Sequence, residues 1–336
     1  MAAVLTIDVP VRRSHYRPLL VAATLLAFCV VGLGAYVRLS DAGLGCPDWP
    51  GCYGHLVGVP DTHAEHAAAA SAFPGKPVET HKAWKEMIHR YAAGTLGLLI
   101  LGIALSAWAA WRREHERRPW LETGLVALVV FQALLGMWTV TLLLKPVIVT
   151  AHLLGGMATL ALLVLCLARE ILGADEAASQ RSVSRGVGLL ALVVLVGQIA
   201  LGGWVSSNYA ALACSDFPTC QGGWWPAADY ANAFHVVREL GQAADGGLLP
   251  FAALTAIHWT HRLGALVVVV LVGTYAVLLL RRRDLLGLLL VGLLILQVGL
   301  GIASVLLSLP LPLAVAHNLG AALLLATLVV ANFHRQ

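Results

Sequence analysis

Eight apolar runs of about 20 residues punctuate this 336-residue chain, and each is long enough to cross ~30 Å of hydrocarbon as a helix. Their approximate limits are 19–37, 86–108, 121–143, 148–169, 186–206, 254–280, 285–307 and 312–333. With 59% hydrophobic and 12% charged residues, little of the chain is left for a soluble domain. The pattern predicts an all-α integral membrane protein of eight transmembrane helices, embedded in lipid. The net charge of +4 is mostly arginine at span ends, which suits an anionic leaflet and gives no sign of nucleic-acid binding. The first run is too long for a signal-peptide core and lacks a small-x-small cleavage site, so it is expected to remain as the first span.

An even number of spans puts both termini on one side. Placing them inside assigns fourteen of the 22 basic residues to inside segments, among them Arg12, Arg13, Arg117, Arg181 and Arg335, and only six to outside segments. The side richer in Lys and Arg is the cytoplasm, so both termini are expected there. Outside loops 40–85 and 207–253 are then long, and the other two are tight turns around Pro146 and Pro310. The long loops resemble each other: Cys46-Pro-Asp-Trp-Pro-Gly-Cys52 aligns with Cys214-Ser-Asp-Phe-Pro-Thr-Cys220 at an offset of 168 residues (46 to 214, 52 to 220). His89 to His261 spans 172 residues and His152 to His317 spans 165. The chain reads as a duplicated four-helix unit. Because four is even, the copies run in the same direction, as a parallel internal repeat. Two pseudo-symmetric four-helix bundles are expected, in residues 1–175 and 176–336. Transporters also use parallel repeats, but their helices are commonly broken by Gly or Pro at the midplane, whereas these prolines cluster in loops.

Ionisable residues inside membrane spans need partners or a task. His89, His152, His261 and His317 each fall a few residues below the outer end of spans 2, 4, 6 and 8, which all run from outside to inside. At ~1.5 Å per residue the four lie at a similar shallow depth. Each half thus offers two imidazoles from parallel helices, which a bundle can direct at opposite faces of a planar macrocycle. Iron accepts a neutral imidazole nitrogen as an axial ligand. The competing explanation, a hydrogen bond to a neighbouring helix, is the usual fate of one such residue. Four at matched depth in a duplicated frame argue instead for two haem sites. Zinc fits less well, because the second half offers no cysteine or carboxylate to complete a tetrahedral set. The remaining histidines (His15, His55, His63, His66, His81, His115, His235 and His334) fall in loops or tails and are expected to be solvated.

The halves differ three residues before the first histidine, where Glu86 in one faces His258 in the other. A carboxylate one turn from a haem ligand can move protons or stabilise cationic charge, or it can simply suit a helix N-terminus through the macrodipole. Arg90 and Arg262, directly after their histidines, suit haem propionates and equally suit snorkelling to the interface. Each cysteine pair lies outside, where disulfides persist. Closing so short a loop is worth roughly 2 kcal/mol, so a structural bridge, loop placement over a haem edge and thiol exchange all stay open. Cys29 and Cys166 lie within apolar runs and are expected to pack.

These residues together resemble the haem A synthase family over essentially the whole chain. The resemblance rests on the Gly43-to-Cys52 stretch, Glu86-Met-Ile-His-Arg90, Thr150-Ala-His152, His258-Trp-Thr-His-Arg262 and Ala316-His-Asn318. It implies an enzyme that oxidises the C8 methyl of haem O to the formyl group of haem A, by successive hydroxylation to a gem-diol that loses water. It further implies that His89 and His152 flank the substrate haem O, that Glu86 is the essential acid, and that His261 and His317 ligate a haem b cofactor. Two cysteine pairs, Cys46/Cys52 and Cys214/Cys220, place the chain with the two-pair subgroup. A bacterial cytoplasmic membrane is implied, with an unidentified electron acceptor and with haem O synthase and terminal-oxidase assembly factors as partners. A di-haem electron carrier is the alternative, although such a carrier has no need of Glu86.

Overall fold

The computed structural model describes residues 15–114, 118–172 and 183–333. The expected boundary between halves, together with Arg12, Arg13, Arg117, Arg181, Arg335, His115 and His334, lies outside the described residues. Among those described, every regular element is a helix. In order they are α1 (Tyr16–Leu39), α2 (His63–Ala72), α3 (Thr80–Glu114), α4 (Trp120–Thr141), α5 (Pro146–Leu172), α6 (Val183–Ser207), α7 (Tyr230–Ala233), α8 (Phe251–Arg281), α9 (Leu286–Leu306) and α10 (Leu311–Phe333). Eight of them, all but α2 and α7, are long and apolar enough to cross a membrane.

These eight helices are apolar on both faces. Leu20, Ile100, Leu163, Val272, Leu290 and Leu324 pack into one continuous core, while Leu25, Leu98, Leu105, Val193, Leu266 and Ile295 are exposed. A helix that is hydrophobic all round needs an apolar surround as well as an apolar core, and lipid supplies it. Cys166 packs in the core as expected, but Cys29 faces out of the bundle.

Neighbouring spans contact each other in one order, used twice. Helix α1 packs on α3 and α5 while α4 bridges α3 and α5; α6 packs on α8 and α10 while α9 bridges α8 and α10. The two sets meet through α1 against α10 and α5 against α6 and α10. Backbone detail recurs too. Left-handed residues close the turn after α4 at Leu143 and Leu144 (φ 48° and 58°) and the turn after α9 at Ser308 and Leu309 (φ 60° and 61°). Another pair ends α1 and α6 at Asp41 and Tyr209. At this junction the Arg38 guanidinium donates to the Ser206 carbonyl at 2.7 Å and lies 4.1 Å from the Tyr209 ring.

Two expectations need correction. Helix α3 starts at Thr80 and not near Glu86, because polar Thr80–Lys85 continues the helix beyond the apolar run. The alanine- and histidine-rich part of the first long loop carries α2, whose start is fixed by a capping box between Thr62 and Glu65. Backbone N–H groups of Asp61 and Thr62 hold the Glu65 carboxyl at about 2, well below its ordinary value. His66 on α2 is not simply solvated: its Nε2 lies 3.2 Å from the Pro60 carbonyl and 3.1 Å from the Thr80 hydroxyl.

Candidate functional site

All four expected histidines lie in the half of the bundle nearer the cysteine loops. Counting ~1.5 Å per residue from the helix starts, His152 and His317 sit ~9 Å down α5 and α10, while His89 and His261 sit ~14–15 Å down α3 and α8. Because α3 and α8 project further toward the loops, the unequal counts still bring the rings together in pairs. His89 and His152 are close enough to interact electrostatically, and so are His261 and His317. Each ring is half-buried.

What makes room for the rings was not anticipated. Each imidazole lies against a glycine of a neighbouring helix: His89 against Gly34 of α1, His152 against Gly136 of α4, His261 against Gly202 of α6 and His317 against Gly301 of α9. A Cβ at those positions would stand 3.1, 3.4, 3.2 and 3.0 Å from the ring. The glycines repeat at the cysteine and histidine offsets (34 to 202 is 168; 136 to 301 is 165), so the signal was present and was passed over. A glycine cradle behind each of two paired imidazoles fits a bulky planar ligand held between the rings. Among the described residues no group of three or more His, Cys, Asp or Glu could hold a metal ion by itself. Each pair offers two imidazoles, a donor set that suits the axial positions of a haem iron.

Glutamines form a further layer that sequence reasoning missed. Gln198 of α6 places its Nε2 3.1 Å from His261 Nδ1 and donates to the His261 carbonyl at 2.8 Å. The main-chain carbonyl of Gln297 of α9 accepts from His317 Nδ1 at 3.1 Å, and the Gln297 Nε2 lies 3.4 Å from His317 Nε2. Gln132 of α4 donates to the His152 carbonyl at 3.0 Å. By contrast, Nδ1 of His89 and of His152 lacks a hydrogen-bond partner among the described residues.

Glu86 is 5% exposed and its charge is met on both oxygens. Oε1 pairs with Arg90 at 2.5 Å, and Oε2 accepts the Cys46 N–H at 2.9 Å. As the seventh residue of α3 it lies beyond the first turn, where the macrodipole acts, so that explanation falls. His258 occupies the matching place: Arg262 Nε lies 3.2 Å from its Nε2 and Cys214 N lies 3.3 Å from its Nδ1. The ring also meets the Ala210 carbonyl. A neutral imidazole has one donor and one acceptor nitrogen. Only one of the Arg262 and Cys214 N–H groups is therefore accepted by the ring in either neutral tautomer.

The two arginines clamp the cysteine loops. Arg90 donates from Nη1 to the carbonyls of Asp48 (3.0 Å), Pro50 (3.2 Å) and Gly51. Arg262 donates to those of Asp216, Thr219 and Cys214, each at 2.8 Å. These donors point at loop backbone, a use that neither the propionate nor the snorkelling expectation included. Both loops are closed by disulfides, Cys46–Cys52 and Cys214–Cys220, with Cα separations of 4.8 and 4.7 Å. The Asp216 carboxylate accepts from the Thr219 hydroxyl and from the amides of Gly222 and Gln221, and these bonds hold its pKa at about 2. At the opposite end of the molecule, a cavity of about 540 Å³ is lined by Arg118, Trp120, Leu121 and Arg169, with no histidine in it.

The profile of the COX15-CtaA family, described as cytochrome oxidase assembly protein, matches residues 17–329. A heme A synthase of Shewanella oneidensis is 47% identical over 310 residues, covering 90% of this chain and 92% of that protein. Heme A synthases of Mesorhizobium japonicum (28% identical, 91% and 86% covered) and Caulobacter vibrioides (27%, 90% and 90%) are similar over comparable lengths.

Proposed function

The chain belongs to the COX15-CtaA family of cytochrome oxidase assembly proteins, and on that premise we propose that it is a membrane haem A synthase, oxidising the C8 methyl of substrate haem O to a formyl group. The observation that carries this reading is the pair of imidazole pairs on glycine cradles, one with a buried carboxylate beside it and one without. We assign the first four spans, within residues 1–175, to the substrate haem O and the last four, within 176–336, to a haem b cofactor, as pseudo-symmetric units. The resident haem, when bound, supplies a redox-active iron ligated by neutral imidazole nitrogens.

His89 of α3 and His152 of α5 hold the substrate between them, and Gly34 and Gly136 keep both rings free to approach it. Glu86, one helical turn from His89, carries the acid–base work of the oxidation. Its carboxylate is the nearest acidic group on that helix face, and its ties to Arg90 and Cys46 keep it from turning away. With water as the oxygen source, each hydroxylation replaces a C–H bond by C–OH and releases two electrons and two protons. The electrons pass to the acceptor, and the first proton must leave the reacting carbon's surroundings. An anchored carboxylate in a water-poor site can receive it. His261 and His317 hold haem b. Arg90 and Arg262 act on the haems through the loops they clamp, seating each disulfide-closed loop over its pair. The excess of arginine at the ends away from those loops supports a topology with both termini in the cytoplasm and the cysteine loops outside. Electrons leave toward an acceptor in or at the membrane, and haem O synthase and oxidase assembly factors are the expected neighbours.

Glu86→Ala tests the division of labour. Haem b should stay bound while haem A formation falls by about 10²–10⁴-fold, the range of general acid–base catalysis. Normal haem A output from that variant, assayed by extracting the pigments and separating them, removes Glu86 from the chemistry.

A further inference from the structure

Three of the four histidines belong to one repeated unit. In each, a glutamine of the adjoining helix lies against a glycine three residues after the histidine: Gln132 on Gly155, Gln198 on Gly264 and Gln297 on Gly320. A Cβ at those glycines would stand only 2.6, 2.2 and 2.2 Å from the amide, so glycine there is the condition for the glutamine to fit. The fourth histidine breaks the pattern. The residue 168 before Gln198 is Val30, and the residue three after His89 is Ala92. The unit also differs in reach. The Gln198 amide meets His261 Nδ1 and the Gln297 main-chain carbonyl meets His317 Nδ1, whereas Gln132 meets only the His152 backbone, and the Nδ1 atoms of His89 and His152 stay without partners among the described residues. All three glutamines also keep a buried Oε1 that accepts nothing there.

An imidazole bound to iron through Nε2 must carry its proton on Nδ1, and that proton needs an acceptor. For His317 the main-chain carbonyl of Gln297 already stands at 3.1 Å. For His261 the acceptor at hand is the Oε1 of Gln198, brought round by rotation of the amide, which Gly264 leaves room for. We propose that the Gln198 side chain, as a positioning residue, and the Gln297 main-chain carbonyl lock the imidazoles of the last four spans into one tautomer and orientation. The lack of such a lock at Val30 and Ala92 then leaves His89 as the exchangeable ligand of the first four. The inference rests on the haem A synthase reading and adds to it a physical reason why one haem stays and the other is taken up and released.

Two substitutions at Gln198 separate this from a packing role, with haem b followed by its midpoint potential and by its transfer rate to apomyoglobin. Gln198→Leu removes the acceptor, so the ligand becomes less basic, the potential rises and haem leaves on the order of 10–100-fold faster. Gln198→Glu keeps an acceptor and strengthens it, so the potential falls below wild type while haem is retained. Transfer at the wild-type rate from the Leu variant, or potentials moving in the same direction in both variants, overturns the proposal. In the first four spans, the double variant V30Q/A92G should slow release of the extracted substrate pigment, and unchanged release contradicts the role given to His89. A wild-type protein that binds no haem b would instead sink the functional reading itself, so the two failures are told apart at the outset.

Discussion

At the residue scale, the four paired histidines stood out because an imidazole in an apolar run is conspicuous, whereas their supports did not. Gly34, Gly136, Gly202 and Gly301 look like ordinary glycines of membrane helices, and only the folded arrangement shows an imidazole against each. Substituting them gives a pair of mirrored outcomes. Gly34→Val should displace His89 and lose the substrate pigment while haem b remains; Gly202→Val should displace His261 and lose haem b instead. Pyridine haemochrome spectra of the purified variants check both, and equal loss of both pigments from either variant contradicts the separation of sites. Asp216 gives a pH outcome. Its folded pKa of about 2 lies below the ordinary 3.8, so its stabilisation is fully present above the ordinary value and is lost as pH falls through about 2. Amide hydrogens of Gln221 and Gly222 should exchange faster as the pH drops through that window, once intrinsic exchange rates are corrected for. Constant protection would show that the carboxylate does not organise the loop.

At the scale of elements, the apolar runs located the eight long helices but misjudged where polar sequence extends or interrupts them. Helix α3 gains six residues before Glu86 because Thr80–Lys85 stays helical outside the apolar stretch. That extension turns Glu86 from a helix-end charge into a side chain tied to Arg90 and to the Cys46 amide. Helix α2 was missed because it is short and alanine-rich, although Thr62 and Glu65 carried the capping signature in plain sight. The arginine clamps were beyond sequence reasoning, since nothing local says that loop carbonyls return to α3 and α8. Their test is Arg90→Leu. Removing one partner of a buried ion pair costs about 3–5 kcal/mol, so the Cys46–Cys52 loop should lose protection from hydrogen exchange while the Cys214–Cys220 loop keeps it. Loss in both loops, or in neither, would show that the clamp is not local.

For the whole molecule, the offset between cysteine motifs revealed a duplicated chain, and the packing follows a matching order in each set of four spans. Which helices would meet across the middle could not be read, since the repeat offset alone does not say that equivalent positions touch; Arg38 with Ser206 and Tyr209 with Asp41, each 168 residues apart, nonetheless do so at the junction. Yet the difference between the halves matters more than their likeness. Glu86 and unsupported imidazoles mark one, and His258 with amide-supported imidazoles marks the other, which is why one macrocycle is assigned as substrate and one as cofactor. The most direct test is the identity of the pigments extracted from the purified wild-type protein. Haem b together with haem O or haem A is the expected result; haem b alone would make the protein an electron carrier and contradict the account.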